Sequence, residues 1–138
     1  MKKNGFTLVE LVVTIVILSI LSLIFIPLVS SMIEKNNQNM KKQLINSIES
    51  AASMYMNDNK ILLNLNCNEA LNVTVSMLTG TVTVKGHSIK GDYLKGELVD
   101  KTNNKVVKGT SYVKATAKCD SANTKFIKFE YATAVLNY

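Results

Sequence analysis

Hydrophobic and polar positions divide this chain into two parts of different character. From Phe6 to Val29 almost every position is apolar, and Glu10 is the one charged residue in that stretch. After about Glu34 the chain is polar and rich in Lys and Asn, with its apolar residues spaced apart. The pattern predicts an apolar segment at 6–29 followed by a soluble domain at 30–138.

The apolar segment predicts a helix that can span a bilayer. Leu11 to Val29 carries no charge and is long enough at about 1.5 Å per residue. Lys2 and Lys3 before it favour a cytoplasmic N-terminus. One helix is expected from about 6 to about 57, with its second half packed on a sheet. That packed face combines residues at helical spacing: Ile33, Met40, Leu44, Ile48, Ala51, Ala52 and Tyr55.

The rest of the chain shows the short alternating runs and turn residues typical of strands. Residues 111–119 and 125–133 flank a turn and predict an antiparallel hairpin, with Ile127 on its inner face and Phe126 on its outer one. Smaller elements are expected as strands at 81–85, 92–99 and 105–108, a short helix at 68–71 and a docked turn at 75–78. A long helix laid on a small antiparallel sheet gives an α+β fold.

The charge and the cysteine content indicate which ligands and cross-links the domain could have. Lysines alone supply the 16 positive side chains against 10 carboxylates, giving a net charge of +6. Such a domain can attract polyanions, or its lysines can simply form a solvated face. Cys67 and Cys119 most simply form one disulfide in an exported chain, with two unpaired thiols as the alternative. Together with the single His87 they do not make a zinc site.

Glu10 distinguishes between the possible roles of the apolar segment, which include a cleaved secretory signal and a membrane anchor. A carboxylate at the centre of a membrane costs on the order of 2.5–3.5 kcal/mol and usually has a partner. An ordinary secretory signal cut near Ser30-Ser31 would have a shorter apolar core. A plain anchor explains the length of the segment but gives Glu10 no partner.

The run Lys3-Asn4-Gly5-Phe6-Thr7-Leu8-Val9-Glu10 resembles the class III signal of type IV pilins, secretion pseudopilins and competence pilins. The resemblance implies that residues 1–5 are a leader, cut between Gly5 and Phe6 by a prepilin peptidase that then methylates the Phe6 amine. It also implies that Glu10 pairs with the Phe6 amine of a neighbouring subunit, since a buried carboxylate and a buried ammonium each need a counter-charge. A Glu10 that only snorkels to the headgroups is the alternative.

Pro27 matches a proline found in many members of that family. It cannot donate to the carbonyl of Leu23, so the helix should kink or loosen there. Many members carry a glycine some eight residues earlier, where this chain has Ser19, which leaves the extent of unwinding open. In pilins two cysteines commonly close a C-terminal region, whereas a 67–119 loop would span the middle of the domain.

The predicted function is structural, with no enzyme activity, cofactor or metal. A lone His87 cannot supply a Ser-His-Asp set. Asp92, Asp100 and Asp120 are too dispersed for a calcium loop and are expected to be solvated turn residues. The resemblance implies a major pilin that lies in the cell membrane before assembly and then forms an extracellular homopolymer, the type IV pilus, for adhesion, twitching motility or aggregation.

Two alternatives stay open. One is a pseudopilin of a type II secretion-like machine or of a competence machine that takes up DNA. The other is a membrane-anchored binding domain that never assembles. The filament interpretations imply prepilin peptidase and a pilus assembly platform as partners, and the lysines add DNA as a further candidate.

Overall fold

The computed structural model describes residues 6–120, 122 and 125–138. The chain divides into two compact units, 1–38 and 39–138. In chain order the elements are α1 (Leu8–Asp58), α2 (Lys60–Leu63), β1 (Ala70–Thr74), α3 (Val75–Thr79), β2 (Thr81–Val84), β3 (His87–Lys90), β4 (Val99–Asp100), β5 (Lys105–Val106), β6 (Tyr112–Cys119) and β7 (Phe126–Tyr131). A long N-terminal helix with antiparallel sheets confirms the α+β prediction.

Helix α1 supplies one wall of the core in the second unit. Its buried residues are Ile48, Ala51, Ala52, Tyr55 and Met56, a set at helical spacing. Ile33, which the periodicity assigned to the packed face, is 56% exposed, so that assignment was wrong. The apolar stripe of the helix therefore begins before the residues that the core covers.

The main sheet has the strand order β1-β6-β7, and each pairing is antiparallel. Strand β6 buries Val113, Ala115 and Ala117, which confirms the predicted hairpin. Strand β1 replaces the short helix predicted at 68–71, because the edge of β6 gives it a pairing partner and Val73 packs inward opposite Val113. Tertiary pairing here overrides local propensity.

Two further segments differ from the sequence prediction. Residues 75–79 form helix α3 and not a turn, with the Thr74 hydroxyl accepting a hydrogen bond from the Met77 amide at 3.4 Å. Most of 92–99 is irregular, and only its end joins a strand pair. The amides of Tyr93 and Leu94 both donate to the Leu78 carbonyl, so this segment is held by α3 and not by a ladder.

A register shift alters the end of the β6–β7 hairpin. Lys118 lies opposite Lys128, but Cys119 lies opposite Phe126, so Ile127 is the extra residue of a bulge. As a result Ile127 is 60% exposed, and its predicted inward position was wrong. Phe126 instead contacts Phe129, with ring centroids 4.7 Å apart.

Asp100 is a fully buried carboxylate and not the solvated turn residue that the sequence predicted. It accepts hydrogen bonds from the Thr102 amide at 2.8 Å and from the Thr102 and Tyr138 hydroxyls. The ammonium of Lys41 on α1 lies 3.2 Å away. Burial alone would raise the pKa of Asp100, but these donors outweigh it and hold the pKa well below its ordinary value.

The C-terminal residues are tied to the same region. Tyr112 pairs with Val135, and the Asn137 amide donates to the buried Ser111 hydroxyl at 2.8 Å. The Ala134 amide donates to Glu49 of α1 at 3.1 Å. Residues 134–138 therefore act as a strap that joins helix α1 to strand β6.

A disulfide links the segment after α2 to the end of β6. Cys67 and Cys119 are joined, with their Cα atoms 5.6 Å apart. The Asn68 amide also donates to the Ala117 carbonyl, at 2.8 Å, so the two segments are neighbours along the backbone as well. The loop closed by the bond contains the middle of the second unit.

Candidate assembly site

The beginning of α1 is held by a reciprocal cap between Thr7 and Glu10. The Thr7 amide and hydroxyl donate to Glu10 Oε2 at 3.1 and 2.9 Å, and the Glu10 amide donates back to the Thr7 hydroxyl at 3.3 Å. This is the capping box expected for a Thr-x-x-Glu sequence. The Thr-x-x-Glu spacing of Thr7 and Glu10 is a signal in the sequence for this cap, which the interpretation of Glu10 as a charge alone does not include.

Phe6 precedes this cap and is 80% exposed. Its nitrogen is bonded to Gly5, which lies outside the described residues, as do Lys2 and Lys3. Cutting the Gly5–Phe6 bond would convert that nitrogen into a free amine. This amine would lie one residue before the Thr7 amide, which donates a hydrogen bond to Glu10. The predicted cleavage, methylation and charge pairing stay predictions.

The helix surface that follows is apolar and open. One window of 18 residues in α1 reaches a mean hydropathy of 3.0, so the helix is long and apolar enough to cross a membrane by length and composition. Every described residue from 6 to 36 is exposed. An apolar surface of this extent needs lipid or other protein to cover it.

Polar side chains in this surface are compatible with an apolar environment. The hydroxyl of Ser19 donates to the Ile15 carbonyl at 2.7 Å, and that of Ser22 donates to the Leu18 carbonyl at 2.7 Å. Such bonds back to the preceding turn leave no hydroxyl proton unsatisfied in lipid or in a helix bundle. Glu10 is therefore the group in the segment whose burial needs an external partner.

Pro27 lies inside α1, whose helical assignment continues through it. The carbonyl of Leu23 cannot receive the usual bond there, because proline has no N–H. The kink and the local unwinding predicted for filaments stay predictions.

Groups able to hold a metal are not assembled in the described part of the second unit. No three or more His, Cys, Asp or Glu side chains converge there or elsewhere among the described residues. His87 is the first residue of strand β3 and is exposed.

Comparison with known proteins adds one finding. Residues 1–26 match the family model described as the prokaryotic N-terminal methylation motif. No curated protein and no solved structure matches the chain. The matched segment contains Gly5, Phe6 and Glu10, so it covers the cap and the apolar surface as far as residue 26. It is the class III signal typical of precursors that a prepilin peptidase processes at the membrane.

Proposed function

We propose that this type IV pilin-like precursor is the major subunit of a surface filament and is not an enzyme. The observation that carries the proposal is Glu10, a lone carboxylate at the start of the exposed apolar part of α1. Lipid would cover this helix before assembly, and identical helices would cover it in the filament. Within such a bundle a carboxylate needs a cation.

The processed N-terminus would supply that cation. A free α-amine has a pKa of about 7.7–8.0 and is mostly protonated at neutral pH, and a methyl group leaves that charge in place. Glu10 of one copy would then exchange its bond from Thr7 for the Phe6 ammonium of a neighbour. Copies without a neighbour would keep the capping arrangement, which leaves the carboxylate satisfied while the subunit waits in the membrane.

Filament formation would follow from repetition of this contact. A head-to-tail contact between copies that does not close into a ring produces an open helical assembly. Pro27 would provide the place where α1 adjusts to its neighbours. The product would be an extracellular homopolymer used for adhesion, motility or aggregation, built with prepilin peptidase and an assembly platform.

The capping box shows how to test the charge of Glu10 separately from its role in the helix. Glu10→Gln keeps a side chain able to cap the helix but removes the charge, and it should abolish or strongly reduce surface filaments. The matched control Thr7→Val weakens the cap, keeps the charge and should still give filaments. Normal filaments from Glu10→Gln would contradict charge pairing.

A second candidate function, DNA uptake, is supported by the outer face of the main sheet. Lys114, Lys118 and Lys128 lie on that face with a single carboxylate, Glu130, which is 3.6 Å from Lys118. Such a face would hold phosphates without reading sequence. Titrating the detergent-solubilised chain with duplex DNA at two salt concentrations tests it. No binding at low salt would remove this candidate.

A further inference from the structure

An apolar groove lies in the second unit beside the end of α1. Its volume is about 210 Å³, and its lining residues are Lys60, Ile61, Asn64, Leu65, Phe126 and Phe129. Ile61 is 83% exposed although its side chain is wholly apolar. The bulge that turns Ile127 outward also brings the two phenylalanine rings together on the groove wall.

The groove has a charged rim. Lys60 is exposed at the first position of α2, next to the apolar floor. A fitting occupant must therefore offer apolar side chains with a carboxylate beside them. Helix-in-groove binding meets this need when apolar residues recur at i and i+4 and an acidic residue flanks them.

Helix α1 of a second copy has that arrangement. Val29 and Ile33 are spaced i and i+4, and both are more than half exposed. Glu34 follows directly and is exposed, and its carboxylate accepts a long hydrogen bond from the Gln38 amide at 3.5 Å. Val29 is the last residue of the apolar segment, and Glu34 is the first charged residue after Glu10.

Two other carboxylates with apolar neighbours, Glu97 and Glu10, fit less well. Glu97 stands between Gly96 and Leu98, and Leu98 packs on the core of its own unit. Glu10 has apolar neighbours, but Thr7 already bonds to it and the proposed function assigns it to Phe6. Ile33 lies outside the core and is 56% exposed, so its side chain is open to a contact with another copy.

We infer that the groove receives the Val29–Glu34 segment of α1 from a second copy, with Ile33 on Ile61 and the Phe126–Phe129 wall and Glu34 paired with Lys60. This contact rests on the proposed filament function and specifies one of its subunit interfaces. Groove and helix are different surfaces, so the contact is head-to-tail and can repeat without closing.

Charge reversal in the full-length chain tests the pairing. Lys60→Glu and Glu34→Lys should each lower the mass of sheared filaments about tenfold, because every subunit contact then faces a like charge. The double reversal Lys60→Glu/Glu34→Lys should restore most of it. Lys90→Glu, which changes an exposed lysine on the β2–β3 hairpin, is the matched control and should leave filament mass unchanged. Immunoblots of the membrane fraction verify that each variant accumulates.

A photoreactive residue at Ile61 provides an independent readout. p-Benzoylphenylalanine at that position should crosslink, within filaments, to a peptide that contains Ile33. The inference would be overturned by crosslinks that reach only other segments. It would also be overturned if the double reversal gave no more filament than the single variants. In either case, filaments formed by the wild-type chain would leave the proposed function standing. If the wild-type chain is absent from filaments, the proposed function fails and the inference fails with it.

Discussion

Replacing the buried Asp100 with Asn should destabilise the second unit strongly. The carboxylate accepts hydrogen bonds from Thr102 and Tyr138 and lies 3.2 Å from the Lys41 ammonium. Asn has nearly the same shape but no charge, and its NH₂ group would face a donor. The substitution therefore removes the electrostatic interactions while it leaves the packing volume almost unchanged.

The size of the effect follows from the burial of Asp100. Hydrogen bonds to a charged acceptor contribute about 1.5–3 kcal/mol each, and neutral ones about 0.5–1.5. The Lys41 side chain is 38% exposed, so its ammonium can return to water after the change. We expect a loss of about 3 kcal/mol in unfolding free energy. The hydrogen bonds that remain lose their charged acceptor, and one is replaced by two donors that face each other. In a domain of this size that lowers Tm by about 12 °C.

The five tyrosines lie within the second unit, at 55, 93, 112, 131 and 138. Near-UV circular dichroism of the detergent-solubilised chain, followed in the tyrosine band beyond the phenylalanine absorption, therefore reports the melting of that unit. The control is Asp92→Asn, whose exposed carboxylate lies 3.8 Å from Lys95. That variant should melt within about 2 °C of the wild type, since exposed pairs contribute little.

The stabilisation by Asp100 depends on pH, because only the charged carboxylate makes these interactions. Because the folded pKa of Asp100 is lowered from 3.8, its contribution is complete above that pH and is lost as pH falls toward the folded pKa. The difference in Tm between wild type and Asp100→Asn should be constant from pH 5 to 7 and should shrink below about pH 4. A difference under about 3 °C at pH 7, or one that grows on acidification, would refute the reasoning.

Two further predictions concern the same unit. Replacing Cys67 and Cys119 together with Ala should lower the unfolding free energy by about 4 kcal/mol, from the entropy of the loop that the bond closes. Near-UV melting of both proteins checks this, and an unchanged Tm on reduction of the wild type would contradict it. Tyr55→Phe should be neutral or slightly stabilising, because within the described chain the buried Tyr55 hydroxyl has no hydrogen-bond partner. A fall in Tm of more than about 4 °C would indicate a bond to that hydroxyl.

The long helix and the main hairpin could be predicted because their signals are local. Ile48, Ala51 and Tyr55 repeat at helical spacing, and Val113, Ala115 and Ala117 alternate along a strand. With two cysteines in the chain, one intramolecular disulfide was possible. The N-terminal signal was equally local, since Gly5, Phe6 and Glu10 stand within six consecutive positions.

The features that were missed depend on contacts between distant residues. Strand β1 forms because β6 offers it an edge, and neither segment alone reveals that pairing. Asp100 is buried by Lys41 and Tyr138, 59 and 38 positions away. The bulge at Ile127 arises from register along the pair, which the alternation of β7 could not indicate. The groove depends on that bulge, so it could not be predicted from the sequence either.

Mass spectrometry of the main protein in purified surface filaments tests the central claim most directly. The measurement identifies the subunit and its first residue together. We expect this chain as the principal component, beginning at Phe6 with one methyl group on its amine. A filament made chiefly of another protein, or a chain that still begins at Met1 or begins near Ser31, would contradict the account.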